Sequence, residues 1–167
     1  MNFEKKVTLK DGRTCFLRNG IASDGQAVLD VFNLTHEETD YLLTYADENS
    51  FTVSQEGDFL QRQTDSANAV EIIAVVDGVV AGTAGIDALG MRDKIKHRAV
   101  FGIAITKEFW GLGIGKYLME ACIECAREAG YLQLELEVVA ENESAVEMYK
   151  RAGFIEYGRN PKAFRLR

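Results

Sequence analysis

The chain has 167 residues, 47% of them hydrophobic and 27% charged, which is the make-up of one folded globular domain rather than a disordered segment. Its formal net charge of −7 argues against a nucleic-acid partner, because binding to a phosphate backbone rests on clustered Lys and Arg. No apolar run is long enough to span a bilayer, and Met1-Asn2-Phe3-Glu4-Lys5-Lys6 lacks the order of a signal peptide. The expectation is therefore a cytoplasmic protein with no membrane partner.

In chain order, Val7–Leu9 and Thr14–Arg18 flank Asp11-Gly12, a hairpin signal between two β-prone runs. Ser23 with Gln26 has capping-box spacing ahead of Ala27, Val28, Val31, Phe32 and Leu34, which predicts a helix. An acidic stretch through Glu37, Glu38, Asp40 and Asp47 leads to a second helix after Thr52 or Ser54. Val70–Val76, Asp77-Gly78 and Val79–Ala84 predict another hairpin, apolar enough to be buried on both faces. A strand at about His97–Ile105 follows the loop Leu89–Lys96.

The spacing then predicts a long helix near Gly113–Ala129, with Leu118, Met119, Cys122, Cys125 and Ala126 as its apolar stripe and Gly130 as its stop. Cys122 and Cys125 read as C-x-x-C, but no second Cys or His cluster completes a metal site. They are read as helix packing, with no metal expected and no disulfide framework. A strand at Leu132–Val139, a helix at about Ser144–Arg151, Gly153 as its stop and a strand from Phe154 complete the order. A β-meander followed by β-α-β-α-β makes residues 1–167 a single α/β (α+β) domain, a mixed sheet with helices on both faces.

Trp110-Gly111-Leu112-Gly113-Ile114-Gly115 joins the buried strand to the long helix. Glycines let successive backbone N–H groups converge on one point, and a helix N-terminus favours anions, so the turn suits phosphate oxygens. Neither common phosphate loop fits. A dinucleotide fingerprint needs different glycine spacing, an early β-α-β position and an acidic residue ending the next strand, where this chain has Val138-Val139-Ala140. A P-loop needs Gly-Lys-Ser/Thr, and here Gly115-Lys116 precedes Tyr117.

From about Phe101 to Phe154 the chain instead resembles the cofactor-binding half of the GNAT acetyltransferase superfamily. There the turn reads Gln or Arg, two residues, Gly, one residue, Gly or Ala, and Trp110 stands where Gln or Arg is usual. A second motif of that family, Asn, two residues, Ala, three residues, Tyr, three residues, Gly-Phe, is matched by Asn142, Ala145, Tyr149, Gly153 and Phe154. The two motifs lie one helix and one strand apart, and the N-terminal order agrees more loosely.

The resemblance implies the acyl-CoA N-acyltransferase fold, with a central, mostly antiparallel twisted sheet. It further implies acetyl-CoA as co-substrate and transfer of its acetyl group to a primary amine, on a small molecule or a peptide, by direct attack in a ternary complex. The pantetheine arm would pair with backbone at about Ile103 and Ile105, and the pyrophosphate would sit on residues 110–116: Trp110 through its N–H, then Gly111, Leu112, Gly113, Ile114, Gly115 and Lys116. Asn142 and Ala145 would complete the cofactor site, and Tyr149 would protonate the departing thiolate. Many relatives carry a catalytic Glu where this chain has Val100, so the general base stays open among His97, Glu37, Glu38, Glu71 and a water relay. The acids at Glu37–Asp47 would suit a cationic amine. Relatives carry one more strand than this sequence provides, which suggests an open sheet edge and a homodimer. The alternative activity is a GNAT-like domain that binds the coenzyme without catalysis.

Overall fold

The computed structural model describes residues 1–167. Six strands form one sheet in sequence order: β1 (Glu4–Thr8), β2 (Thr14–Asn19), β3 (Val70–Val76), β4 (Val79–Ala88), β5 (Arg98–Ile105) and β6 (Gln133–Glu135). Neighbours are antiparallel except β5 and β6, which run parallel. The hairpin between β3 and β4 turns on Asp77 and Gly78, both at positive φ (51° and 81°), the geometry that matches strand twist in a two-residue loop.

Four helices cover the sheet: α1 (Gly25–Glu38), α2 (Val53–Asp65), α3 (Ile114–Glu128) and α4 (Glu143–Arg151). Alternation along β3 assigns the faces. Val70, Ile72, Ala74 and Val76 join the larger core with Leu118, Met119 and Cys122 of α3, whereas Ile73 meets Val28 of α1 and Leu60 of α2. Both faces of β3 are therefore buried, as its apolar run predicts. The three cysteines are free and buried, and burial pushes the Cys15 and Cys125 thiols up to about 11; they are packing residues.

Several elements differ from the sequence expectation. α1 starts at Gly25, after a 3-10 turn at Ala22–Asp24, so Ser23 and Gln26 do not form the cap. Asp24 holds the N-cap position of α1 without a side-chain cap; its carboxylate instead accepts from Ile21 N at 2.9 Å, across the 3-10 turn, and pairs with Arg18. Thr52 does cap α2, reciprocally with Gln55. β6 is confined to Gln133–Glu135, and no strand follows Phe154. There Arg167 reaches back to Asp47 at 2.7 Å and stacks on Tyr45.

α1 and α2 approach backbone to backbone. A Cβ at Gly57 would lie 2.6 Å from Ala22 O, and one at Gly25 2.6 Å from Val53 O. Neither contact can yield by moving a side chain, so Gly57→Ala should separate the two helices. We expect a loss of about 1–3 kcal/mol in urea denaturation with an unchanged m-value; parent-like stability would show that the helices part freely.

Candidate active site

The site is built on an unfinished ladder. At its two ends β4 and β5 are joined by Leu89 N donating to Arg98 O and Thr106 N donating to Ala81 O, each 3.0 Å. Antiparallel alternation then directs the backbone groups of the even-numbered residues from Arg98 to Ala104 toward β4 and those of Ala99, Phe101, Ile103 and Ile105 toward β6. But β6 pairs only with Arg98, Ala99 and Val100. Beyond Val100 the parallel strands part, and the edge at Phe101, Ile103 and Ile105 faces a groove of about 1990 Å³. Ile103 and Ile105, the residues expected to meet an added-strand partner, lie in the part of the edge left without a strand.

One end of this edge is closed. Trp110 Nε1 donates to Ile105 O at 2.7 Å, leaving Ile105 with a free N–H but an occupied carbonyl. Trp110 N donates to Lys107 O at 3.1 Å. The backbone role expected for Trp110 is thus taken up within the turn, and its half-exposed indole acts instead as a stop on the ladder.

The glycine turn has the expected form. Gly111 and Gly113 have φ of 76° and 95°, a region that penalises side chains. Gly113 is the N-cap of α3 and supplies no side-chain cap. The first helical bond of α3 is Tyr117 N to Gly113 O at 3.3 Å, so the N–H groups of Ile114, Gly115 and Lys116 precede the hydrogen-bonded ladder and point out of the helix end. Gly115 has a packing reason: a Cβ there would be 3.0 Å from Met148 Sδ and 3.3 Å from Ile105 Cδ1. Leu112 contributes its carbonyl to Lys10 N at 3.1 Å and packs on the core. Lys116 is solvent-exposed, 3.7 Å from Glu120.

From the other wall, Asn142 caps α4, its Oδ1 accepting from Ala145 N at 3.3 Å. The Ala145 N–H is therefore used, and its methyl packs against the core. Tyr149 is 9% exposed, wedged edge-on between Phe101 and Phe154 with ring centroids 6.2 and 5.9 Å away. Its hydroxyl has no hydrogen-bond partner in the protein yet is not sealed off, and the residue lines the groove. Burial pushes the Tyr149 phenol up to about 12.

Two of the acids in Glu37–Asp47, Glu38 and Asp47, are engaged elsewhere, and neither Glu37 nor Asp40 lines the groove. Glu38 accepts from Lys107 N at 2.7 Å, Glu48 accepts from Tyr45 N at 2.8 Å, and Asp47 holds Arg167. The groove wall on that side is Thr35, Thr39, Tyr41, Leu42 and Leu43, with Leu89 from the β4–β5 loop. The acidic acceptor site read from Glu37–Asp47 is therefore not assembled; that wall is largely apolar. Glu37 is exposed on α1, and none of Glu37, Glu38, Glu71 and His97 lines the groove. Val100 does line it. Glu71 is half-buried on the α1–α2 face of β3, and burial pushes its carboxyl up to about 7. Glu56, Asp87, Gly85 and Gly102, which sit around Glu71, have no motif in the sequence; the only hint was two glycines inside strands, where a close approach is the usual reason.

A family model described as Acetyltransferase (GNAT) family matches residues 31–154. An L-amino acid N-acetyltransferase, AaaT, of Escherichia coli is 32% identical over 95 residues, 56% of this chain and 58% of that protein. The chain thus matches little more than half the length of that relative. A GNAT-family acetyltransferase of Streptococcus pneumoniae superposes with a TM-score of 0.81 at 30% identity, covering 86% of each chain. A putative acetyltransferase, yncA, of Salmonella typhimurium, solved with its cofactor acetyl-CoA, gives 0.72 at 16% identity over 86% of each chain. With a parted β5–β6 ladder, a glycine turn opening α3 and a family match across most of its length, this chain belongs to the acetyltransferase (GNAT) family.

Proposed function

We propose that the chain transfers an acetyl group from acetyl-CoA to a primary amine by direct attack within a ternary complex. The observation that carries this reading is the open β5 edge, which leads in one groove from the glycine turn to the Tyr149 hydroxyl. The residues present fit the coenzyme. The unladdered N–H groups at residues 114–116 and the positive end of α3 suit the pyrophosphate. Ile103 N–H and C=O and Ile105 N–H suit the amides of the pantetheine arm, as an added strand would. Lys116 lies within reach of phosphate charge, and the Asn142 amide nitrogen, with Oδ1 committed to the cap, remains a donor. The coenzyme supplies an activated thioester.

The chain's own groups supply position and charge. An N–H of the open edge near Phe101–Ile103 stabilises oxygen as negative charge develops on the acetyl carbonyl. Holding amine and thioester side by side removes the entropic cost of their encounter. Tyr149 keeps its proton at neutral pH because burial disfavours the phenolate. It releases that proton only to a strongly basic acceptor such as a departing thiolate.

The test is thiol release from acetyl-CoA with a panel of amines, polyamines, aminoglycosides and peptide N-termini. Turnover with at least one acceptor is expected. Tyr149→Phe should lower kcat about 100-fold, with an unchanged KM for acetyl-CoA and an unchanged Tm, since the hydroxyl bonds nothing in the protein. A variant as active as the parent would remove Tyr149 from the chemistry.

Gly113→Ala forces a side chain to φ 95° without a steric contact. It should weaken coenzyme A binding by calorimetry about tenfold; an unchanged affinity would place the pyrophosphate elsewhere. The absence of a carboxylate at Val100 favours a second reading, a domain that binds acyl-CoA without transfer, and tight coenzyme binding with no turnover across the panel would select it.

The structure also leaves Leu132, the residue before the edge strand β6, 84% exposed. We extend the proposal to pairing of two copies along that edge, which a monomer mass by light scattering at micromolar concentration would overturn.

A further inference from the structure

On the α1–α2 face, Glu71 of β3, Gly85 of β4 and Gly102 of β5 lie opposite one another in register. A Cβ built on Gly85 would lie 2.1 Å from Glu71 Oε2, so the carboxylate lies over the Gly85 backbone, in the space a side chain would fill. A Cβ built on Gly102 would meet nothing within 4 Å, and Gly102 lines the groove. Adjacent strands are about 4.8 Å apart, which puts the Glu71 carboxylate within hydrogen-bonding reach of a nitrogen seated over Gly102. Gly102 is also flanked in sequence by Phe101 and Ile103, the first residues of the open edge. The carboxylate missing at Val100 thus has a counterpart two strands away that leans back toward the same point.

The surroundings of Glu71 point the same way. Glu56, on α2, is only 8% exposed; its carboxylate has no hydrogen-bond or ion-pair partner, and burial raises its pKa. Asp87, two residues beyond Gly85 on the same face, accepts from Gln63 Nε2 at 3.0 Å. Burial is the main force raising the Glu71 carboxyl, the Asp87 and Glu56 charges add to it, and the Thr83 hydroxyl opposes it. No Lys, Arg or His pairs with Glu56, Glu71 or Asp87. Glu56 is buried and Glu71 half-buried, while Asp87 is exposed; a buried carboxylate without a cation is costly to keep, and a cationic guest would relieve that cost.

We propose that Glu71 is the general base of the reaction, taking a proton directly from the acceptor's ammonium group seated over Gly102, and that Glu56 is a positioning residue whose charge keeps Glu71 basic. The proposal rests on the acetyl-transfer reading. The ammonium gives one proton to Glu71, and the freed lone pair forms the N–C bond to the thioester carbonyl. As the C–S bond breaks, the Tyr149 proton goes to sulfur. The new amide nitrogen gives up its second proton, which restores Tyr149, and Glu71 passes its own to solvent. One proton is released per acetyl transferred.

The experiment compares the parent with Glu71→Gln, using spermidine and other primary alkylamines as ammonium acceptors and O-methylhydroxylamine as a nucleophile already neutral at pH 7. For alkylamines the parent's log kcat should level off above an inflection near neutrality. Glu71→Gln should lose about 100-fold at pH 7 and climb tenfold per pH unit, while its rate with O-methylhydroxylamine changes only a few-fold and its KM for acetyl-CoA does not move. Glu56→Gln should shift the parent's inflection to lower pH. An equal loss with both nucleophiles assigns Glu71 a purely structural role and overturns the proposal, as does an unaltered pH profile in either variant.

A readout without turnover comes from stability. With its pKa raised on folding from 4.5 to about 7, Glu71 binds more protons folded than unfolded between those values, so its contribution is largest at low pH and is lost as pH rises through 7. The Tm of Glu71→Gln relative to the parent should therefore rise from pH 5 to pH 8, and a difference that stays flat overturns the buried-base assignment. Should the parent turn over no amine while binding acetyl-CoA, the acetyl-transfer reading itself fails, and the catalytic role of Glu71 with it.

Discussion

Everything in this site depends on the parting of β5 from β6 after Val100. A strand edge left unpaired inside a protein ordinarily costs the free energy of its unmade hydrogen bonds. Here the edge survives because the groove admits water, and because its far end is stopped by the Trp110 indole on Ile105 O. At its near end the wedge is aromatic: Tyr149 enters between Phe101 and Phe154, beside the first residue that β6 fails to reach. The residue packed against the start of the open edge is the same one that lines the groove. A change in the packing of Tyr149 would alter the cleft as well as the proton, which is why replacing only its hydroxyl is the informative substitution.

Glycines act here in two physically different ways. Gly111 and Gly113 are required by backbone angle, since their surroundings leave room for a side chain. Gly115 and Gly85 are required by space, since Met148 Sδ fills the position in one case and Glu71 Oε2 in the other. The first pair lets backbone N–H groups turn toward one point. The second lets an element approach: α3 toward β5 and α4, and a carboxylate toward the sheet.

This difference explains what was legible in the sequence. Elements with strong local signals were readable: the two Asp-Gly turns, the apolar run of β3, the α3 stripe and the helix inside the Asn142-to-Phe154 motif stand where periodicity and turn residues put them, to within a few residues. The form of the glycine turn, and Tyr149 as a residue lining the groove, were readable because a local pattern carries them. Features set by tertiary geometry were not. Leu132–Val139 has the composition of a full strand but forms only Gln133–Glu135, because the neighbour it would pair with is diverging. Phe154 onward is β-prone but finds no strand to join. Nothing near Trp110 in sequence announces that its indole would reach Ile105 O, or that Glu38 and Asp47 would be held by Lys107 N and Arg167. Glu71 was one of several unranked candidates, since its standing comes from two glycines on other strands.

Tyr149 and Glu71, both shifted upward by burial, sit on opposite faces of the sheet. Tyr149 belongs to the α3–α4 side and Glu71 to the α1–α2 side, with the open edge of β5 between them. Burial is the main cause in both cases and moves both upward, but from starting values far apart. The result is a phenol that holds its proton throughout the physiological range and a carboxyl that exchanges one near neutrality. Acid and base roles are thereby separated by environment as well as by residue type. In the proposed reaction the sheet divides the chemistry: Glu71 would take the proton from nitrogen on one face, Tyr149 would deliver one to sulfur from the other, and the strand between them would offer its backbone N–H groups to the carbonyl oxygen.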